Sequence, residues 1–238
     1  MKRSIWFGVR LLILYLVMVL MFYPVPNQGL IAVNALEHYR FSNAPFKLQE
    51  VQQALPQLKA LYGQNKTVPS KYELSFYTAL SFYPELSKAK ISVQSSDKIS
   101  TTMRAKPSNG CLFWWKRHYH IDINDLSTET VNMSKATFTE LTGCFIHELA
   151  HIKHYEGQRN GPIILTGIRY ISSDTFKAQL EKSTDRLAIQ QGGGYYIYQF
   201  ADFIFNRAEA DSSYLQNKID NYYSPSDLLE LYQQSLSD

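Results

Sequence analysis

The sequence His147-Glu148-Leu149-Ala150-His151 lies within a segment, residues 134–156, whose apolar residues recur at spacings of three and four. The apolar positions are Phe138, Leu141, Phe145, Leu149 and Ile152. Because a helix turns by about 100° per residue, His147 and His151 project to one face, opposite this apolar stripe. We therefore predict a helix that packs the stripe on a core and presents both histidines to a cleft.

The spacing of these polar residues is typical of a zinc site. Two imidazoles four residues apart suit one metal ion, and Glu148 between them can hold and deprotonate a water on that metal. Catalytic zinc usually takes a third protein ligand, for which Glu181 is the candidate. Asp185, one turn further, can accept the spare N–H of a histidine ligand. The sequence thus predicts a zinc hydrolase, and the competing interpretation is a surface helix with solvated histidines.

A second helix is predicted over Thr175–Gln191 to carry these carboxylates. Its buried stripe would consist of Phe176, Leu180 and Leu187. Asp174 is expected to cap its start, and Gly192–Gly194 to end it. For the first helix, Ser134 is the expected cap and Gly157 the expected stop.

Together, these residues resemble the gluzincin group of zinc metallopeptidases. The closest branches are the CAAX prenyl endopeptidases and HtpX-like proteins, with the beta-lactam sensor peptidases a second possibility. The resemblance covers roughly residues 90 to 191. It implies one Zn²⁺ per chain held by His147, His151 and Glu181, with Glu148 as the catalytic base and Asp185 supporting a ligand.

The resemblance also implies a zincin-like α+β fold with a small antiparallel-edged sheet. His118–Asn124 would be the edge strand against which an extended polypeptide substrate lies. Two features depart from the family pattern. Thr184 stands where that branch usually has alanine, and the family often embeds its catalytic domain among several membrane helices, whereas this chain has at most one. A singly anchored or soluble periplasmic member fits better.

The N-terminal segment, residues 1–25, predicts export from the cytoplasm. Basic residues precede an apolar run, Leu11–Tyr23, that is short for a membrane span but normal for a signal-peptide core. Counted from Ile5, with Arg10 reaching back toward the cytoplasm, the run is long enough to span. We interpret it as a single-pass inner-membrane anchor, with the catalytic domain facing the periplasm or exterior. The alternative is a secreted or periplasmic protein cleaved after Ala35.

Charge and length bound the remaining possibilities. The chain has 238 residues and a formal net charge of +3, which Lys2, Arg3 and Arg10 alone account for. The rest of the chain has equal numbers of acidic and basic residues, which argues against a nucleic-acid partner, since such a partner would require a basic patch. The length after the N-terminal segment suits one catalytic domain, predicted at residues 87–238, preceded by a linker and helical region at 26–86.

Other elements follow from the same patterns. Residues 46–62, interrupted at Pro56, and residues 71–83 are predicted to be helices that form either a cap or a propeptide-like cover on the cleft. Further predicted elements are strands at 89–94 and 99–104, a turn at Asn109-Gly110, and helices at 195–207 and 226–234, the last capped by Ser224 or Ser226.

Several reactive residues keep more than one interpretation. Cys111 and Cys144 can form a disulfide or remain two buried thiols, with metal binding by Cys144 a further option. His118 and His120 alternate along one strand and are expected to project from one face, in contact with substrate or solvent. His154 lies too far along the helix to share a metal with both motif histidines. The group that stabilises the developing oxyanion is unassigned; its candidates are Tyr195, Tyr196, Arg207, Tyr222 and Tyr223.

Three functions are compatible with this sequence. The first is a zinc endopeptidase acting outside the cytoplasm by Glu-assisted attack of water on a peptide bond. The second is a membrane-anchored, zinc-binding chaperone or assembly factor of the cell envelope without catalysis. The third is a latent protease whose helical region, roughly residues 40–86, blocks the cleft.

Overall fold

The computed structural model describes residues 46–108, 117–125, 131 and 133–237. Eight helices and four strands are found within these ranges. The helices are α1 (Leu48–Tyr62), α2 (Ser70–Leu80), α3 (Phe138–Glu156), α4 (Asn160–Ser172), α5 (Asp174–Ala188), α6 (Gly194–Asn206), α7 (Ser212–Asn221) and α8 (Pro225–Ser235). The strands are β1 (Lys66–Thr67), β2 (Lys90–Ser95), β3 (Met103–Pro107) and β4 (His118–Ile123).

The four strands form one mixed sheet in the order β1-β2-β4-β3. β1, β2 and β4 run parallel, whereas β3 pairs antiparallel with β4, with Ala105 opposite Ile121. The antiparallel strand at the edge is therefore β3, and Pro107 at its end suits an edge position. The prediction that His118–Asn124 forms the edge strand was wrong, because β4 has a partner on both sides. The alternation of buried and polar residues in β4 shows which side chains share a face of the sheet, but it does not show which strands lie beside β4.

Helix α3, which carries the H-E-x-x-H motif, lies at the centre of the molecule and packs against α2, α5, α6 and β3. Every residue from Thr142 to Ile152 is buried. The prediction of one apolar side and one open side was therefore too simple. The histidine side is covered as well, because α5 packs against it.

The N-caps of the two motif helices differ from the predicted ones, whereas α3 ends at Gly157 as predicted. Glu140 accepts a hydrogen bond from the Thr137 backbone N–H at 2.6 Å, which satisfies a free amide in the first turn of α3. Ser134, the predicted cap, lies instead in a short 3₁₀ turn. At α5 the cap is Ser173, whose hydroxyl accepts from the Phe176 N–H at 3.2 Å, and Asp174 is the first helical residue.

The glycine run after α5 is a tight joint between two helices. Helix α5 ends at Ala188, a π-helical turn spans Ile189–Gly193, and α6 starts at Gly194. Gly192 has a φ of 89°, a conformation that strongly favours glycine. The glycines thus end α5 near the predicted place, but they also redirect the chain into α6, which packs along α3.

The N-terminal helices form part of the core. Tyr72 and Phe76 of α2 make edge-to-face ring contacts with Phe145, and the Tyr83 hydroxyl donates to the Ile146 carbonyl at 2.9 Å. Because Phe145 lies about 200° around the helix from His147, this described region contacts the side of α3 away from the histidines. α1 also continues through Pro56, contrary to prediction, since this position is exposed and the freed backbone carbonyl can bond to water.

The coarse fold class, α+β with a small sheet, is confirmed. Helices α4 and α7 and the two-residue β1 were not predicted, and β3 begins four residues later than expected. Within the described ranges, no helix has the length and hydropathy needed to cross a membrane. Residues 1–45, the Asn109-Gly110 turn and Cys111 lie outside those ranges, so the predictions made for them stay predictions.

Close packing of α3 against α6 depends on Gly143. An added Cβ there would lie 2.0 Å from the Tyr196 carbonyl oxygen, whereas Gly167 in α4 has nothing within 4 Å. We expect Gly143→Ala to lower the free energy of unfolding by about 1–3 kcal/mol because the two helices must separate. Gly167→Ala should be neutral or stabilise by up to about 1 kcal/mol. Thermal or denaturant unfolding of both variants checks this, and equal effects would contradict the packing described.

Candidate metal site

Three ligand-type side chains converge between α3 and α5. His147 Nε2 lies 3.1 Å from Glu181 Oε2 and 3.2 Å from His151 Nε2, and the third side of this triangle measures 3.3 Å. All three residues are buried. Zinc bonds of about 2.0–2.1 Å at tetrahedral angles would place ligand atoms roughly 3.3–3.4 Å apart. The group can therefore hold a metal ion with little movement.

The histidine tautomers direct electron pairs into this triangle. Asp185 Oδ1 lies 2.8 Å from His147 Nδ1 and, as a carboxylate oxygen, it accepts a hydrogen from that nitrogen. When His147 is neutral, its Nε2 therefore carries a lone pair rather than a hydrogen. Asp185 thus lies where the sequence placed it, beside a histidine of the motif.

Thr184 favours the corresponding tautomer of His151. Its hydroxyl donates to the Leu180 carbonyl at 2.9 Å, so its oxygen is left to accept from His151 Nδ1, 3.4 Å away. This contact directs the Nε2 lone pair of His151 into the triangle as well. The threonine that departs from the family pattern is therefore a neighbour of the site, a role that sequence reasoning missed.

Glu181 is held by a tyrosine from α4. The Tyr170 hydroxyl donates to Glu181 Oε1 at 2.5 Å, which leaves Oε2 to face the two histidines. Burial and the nearby Glu181 carboxylate raise the pKa of Tyr170, so it remains a hydrogen-bond donor at all ordinary pH values. Sequence reasoning missed this residue because α4 was not recognised as a helix.

Glu148 is oriented by the edge strand. The backbone N–H of Ala105 in β3 donates to Glu148 Oε2 at 2.5 Å, and the glutamate is only 6% exposed. One carboxylate oxygen is thereby fixed against the strand, and the other is left for proton transfer. No sequence pattern could have identified this contact, because it joins residues 43 positions apart through a backbone group.

Charge at the site shifts the pKa of the ligands. Burial opposes protonation of His147, but Asp185 and Glu181 outweigh it and raise the His147 pKa to about 10. Burial likewise works against the Glu181 carboxylate, yet the two histidines lower its pKa well below the ordinary value. The metal-free cluster therefore holds a proton on His147 at neutral pH, in the place where a metal would bind.

A small cavity of about 30 Å³ adjoins His147 and Asp185, and five apolar residues of α6 form part of its lining. Lys218 and Tyr222 also line it, with the Lys218 Nζ 3.6 Å from the Tyr222 ring centroid. Burial disfavours the Lys218 ammonium, but Tyr214 and Glu181 outweigh this effect and raise its pKa. A buried cation thus lies near the site, another residue that sequence reasoning missed.

The five candidates for oxyanion stabilisation separate in the structure. The Tyr222 ring lies 5.8 Å from the His147 ring, and Tyr223 lines the same pocket. The Tyr196 hydroxyl accepts a hydrogen bond from the Phe46 N–H, and the Tyr195 ring packs against the Tyr196 ring. Arg207 pairs with Glu140 and Asp202. Tyr222 is therefore the candidate with a direct ring contact to a motif histidine.

The remaining reactive residues lie outside the cluster. His118 and His120 share one face of β4, as expected, with ring centroids 4.3 Å apart. His154 is exposed. Cys144 is buried, and burial raises its thiol pKa well above the ordinary value, which does not favour metal binding as a thiolate.

Neither a protein-family model, nor a curated protein, nor a solved structure matches the chain. The interpretation of the site therefore depends on its own geometry and chemistry.

The raised pKa of His147 predicts how metal affinity varies with pH. Its proton stabilises the metal-free fold below the ordinary histidine pKa of 6.5, and this contribution is lost as pH rises through about 10. A metal must displace that proton, so Zn²⁺ affinity should rise by about tenfold per pH unit between neutral pH and pH 9. Calorimetric titration in buffers of different ionisation enthalpy would count the released proton.

Asp185→Asn provides the control for this measurement. Asparagine keeps an acceptor for His147 Nδ1 but removes the negative charge that raises the His147 pKa. The pH range over which Zn²⁺ affinity rises steeply should therefore move to lower pH. Zn²⁺ affinity that is independent of pH in the unsubstituted protein would contradict the assignment of the proton to His147.

Proposed function

We propose that this protein is a zinc-dependent endopeptidase that acts outside the cytoplasm. The observation that carries the proposal is the triangle of His147, His151 and Glu181 atoms, with Glu148 held beside it on the same helix. Two imidazole nitrogens and one carboxylate oxygen form a donor set found in catalytic zinc sites, which leave a further position open. The same set supports the gluzincin resemblance and a zincin-like fold.

The donor chemistry favours zinc over other common metals. Calcium and magnesium prefer six or more oxygen ligands, whereas this cluster offers two nitrogens and one oxygen. The carboxylate of Asp185 and the hydroxyl of Thr184 accept from the outer nitrogens of the histidines, an arrangement typical of zinc-binding imidazoles. When bound, zinc would lower the pKa of a coordinated water and polarise a carbonyl oxygen.

The side chains around the cluster can carry out the proton transfers of peptide hydrolysis. Glu148 accepts the proton of the attacking water on its free carboxylate oxygen and delivers it to the leaving amine. The Ala105 N–H keeps its other oxygen in place during both transfers. Tyr170 donates to Glu181 Oε1 and so leaves Oε2 free to face the two histidines, where it would hold a metal. Among the predicted oxyanion donors, Tyr222 is the one whose ring contacts a motif histidine, so we assign this role to Tyr222.

The position of β3 at the edge of the sheet favours a polypeptide as the substrate. β3 pairs with β4 on one side, and Ala105 turns its N–H away from β4 toward Glu148. A substrate chain that pairs with the outer side of β3 would place a peptide bond beside Glu148. We therefore propose β3, the observed edge strand, for the substrate-binding role that the sequence had predicted for residues 118–124.

The proposed location rests on the N-terminal sequence alone. Basic residues precede the apolar run, which predicts that the chain after it lies outside the cytoplasm. The domain would remain at the inner membrane if residues 1–25 form an anchor, and would be released if they are cleaved.

The two alternative functions have less support. A non-catalytic zinc-binding chaperone would not need a buried glutamate oriented by a backbone N–H. A latent protease would need residues 40–86 over the cleft, but the described residues of that region pack on the Phe145 side of α3.

Replacing Glu148 tests the catalytic role. Glu148→Gln should reduce peptide hydrolysis by at least a hundredfold, since general-base catalysis contributes about 10²–10⁴ in rate, while bound zinc remains at the wild-type level. The substitution keeps an oxygen that can accept from Ala105, so the fold should be unchanged. Activity against a casein or peptide-library substrate, measured with zinc content, decides the question. Full activity in this variant would exclude Glu148 as the base.

A further inference from the structure

Helix α4 exposes an apolar stripe. Leu165, Ile168 and Ile171 are 56%, 57% and 87% exposed, and Ile171 is the most exposed large apolar residue of the described part of the chain. Because the three are spaced by three residues, they lie within an arc of about 120° on one side of the helix. Of the residues of α4, only Ile163 is buried. The stripe therefore has no packing partner among the described residues.

The charged residues of α4 and its N-cap are Arg169 and Arg159, both basic, and the nearest acidic residues in the sequence are Glu156 and Asp174. Residues 157–173 contain no aspartate or glutamate, while Arg159 and Arg169 are both exposed. The Arg169 guanidinium lies 4.1 Å from the ring centroid of Phe176, so it is held at the junction of α4 and α5. A helix with an exposed apolar stripe and only basic charges is typical of segments that lie in the interface of an anionic bilayer.

We propose that α4 binds the surface of an anionic lipid bilayer, with Leu165, Ile168 and Ile171 inserted among the acyl chains and Arg159 and Arg169 at the headgroups. This contact is separate from any anchor at residues 1–25. A bilayer accounts for both the apolar stripe and the absence of acidic residues. A second copy of the chain would explain the stripe alone, because the remainder of the protein is balanced in charge and offers no general acidic complement.

The lipid-binding helix is also connected to the metal cluster. Tyr170 lies on α4 between Arg169 and Ile171 and donates to Glu181 Oε1. Arg117, near the start of β4, donates to the Tyr155 and Gln158 carbonyls, at the end of α3 and just beyond it, and thereby fixes the start of the connection to α4. Docking of α4 would therefore hold the cluster and the β3 edge at a fixed position near the bilayer, within reach of polypeptide segments at its surface.

The test uses the full chain and asks which side chains meet lipid. Ile168→p-benzoylphenylalanine and Ile219→p-benzoylphenylalanine form a matched pair, because Ile219 on α7 is 58% exposed and is followed by Asp220. Both variants are reconstituted into vesicles of phosphatidylcholine and phosphatidylglycerol and irradiated. Because any N-terminal anchor holds both variants at the vesicle equally, the difference between them reports on α4.

We expect lipid adducts at position 168 to exceed those at position 219 severalfold. In the position-168 variant, Arg159→Gln should lower the adduct yield by up to about fivefold in anionic vesicles and leave it unchanged in pure phosphatidylcholine. Equal lipid adducts at the two positions would overturn the proposal. Adducts at position 168 that join two protein chains, without lipid adducts, would overturn it in favour of a dimer interface. Neither result would bear on zinc binding or hydrolysis.

Discussion

The structure depends on one electrostatic constraint at its centre. Three electron-pair donors of His147, His151 and Glu181 are held 3.1–3.3 Å apart in a buried site, where they would repel one another unless a positive charge lies between them. In the metal-free protein a proton on His147 supplies that charge, which is why the pKa of His147 rises. A divalent metal would supply more of it, so this arrangement of donors could hold a metal ion.

The surroundings of the cluster keep these donors in place. Asp185 and Thr184 accept from the outer nitrogens of the two histidines, and Tyr170 occupies the second oxygen of Glu181. These contacts come from α5 and α4, and the close approach of α6 at Gly143 completes the packing around α3. The central position of α3 thus explains why the motif residues are buried rather than displayed on an open surface.

The sequence predicted the local part of this arrangement well. Regular spacing in residues 134–156 and 175–191 predicted both motif helices and the four side chains that the structure brings together. Features that depend on long-range folding could not be predicted from the sequence. They are the hydrogen bond from the Ala105 N–H to Glu148, the interior position of β4 in the sheet, and the burial of Lys218. Helix α4 was missed because Gly161, Pro162 and Gly167 interrupt its sequence, and these residue types are more typical of loops than of helices. Thr184 was seen as a departure from a family pattern, whereas its hydroxyl contacts His151.

The most direct test of this account is the zinc content of the purified full chain, measured by elemental analysis together with Glu181→Ala and a Glu209→Ala control. Glu209 is an exposed glutamate that pairs with Lys135, so its removal should not affect a metal. We expect about one zinc per chain in the unsubstituted protein and in the control, with a large loss in Glu181→Ala. A chain that contains no zinc and takes up none on titration would show that His147, His151 and Glu181 do not form a zinc site, and it would also exclude the proposed hydrolytic function.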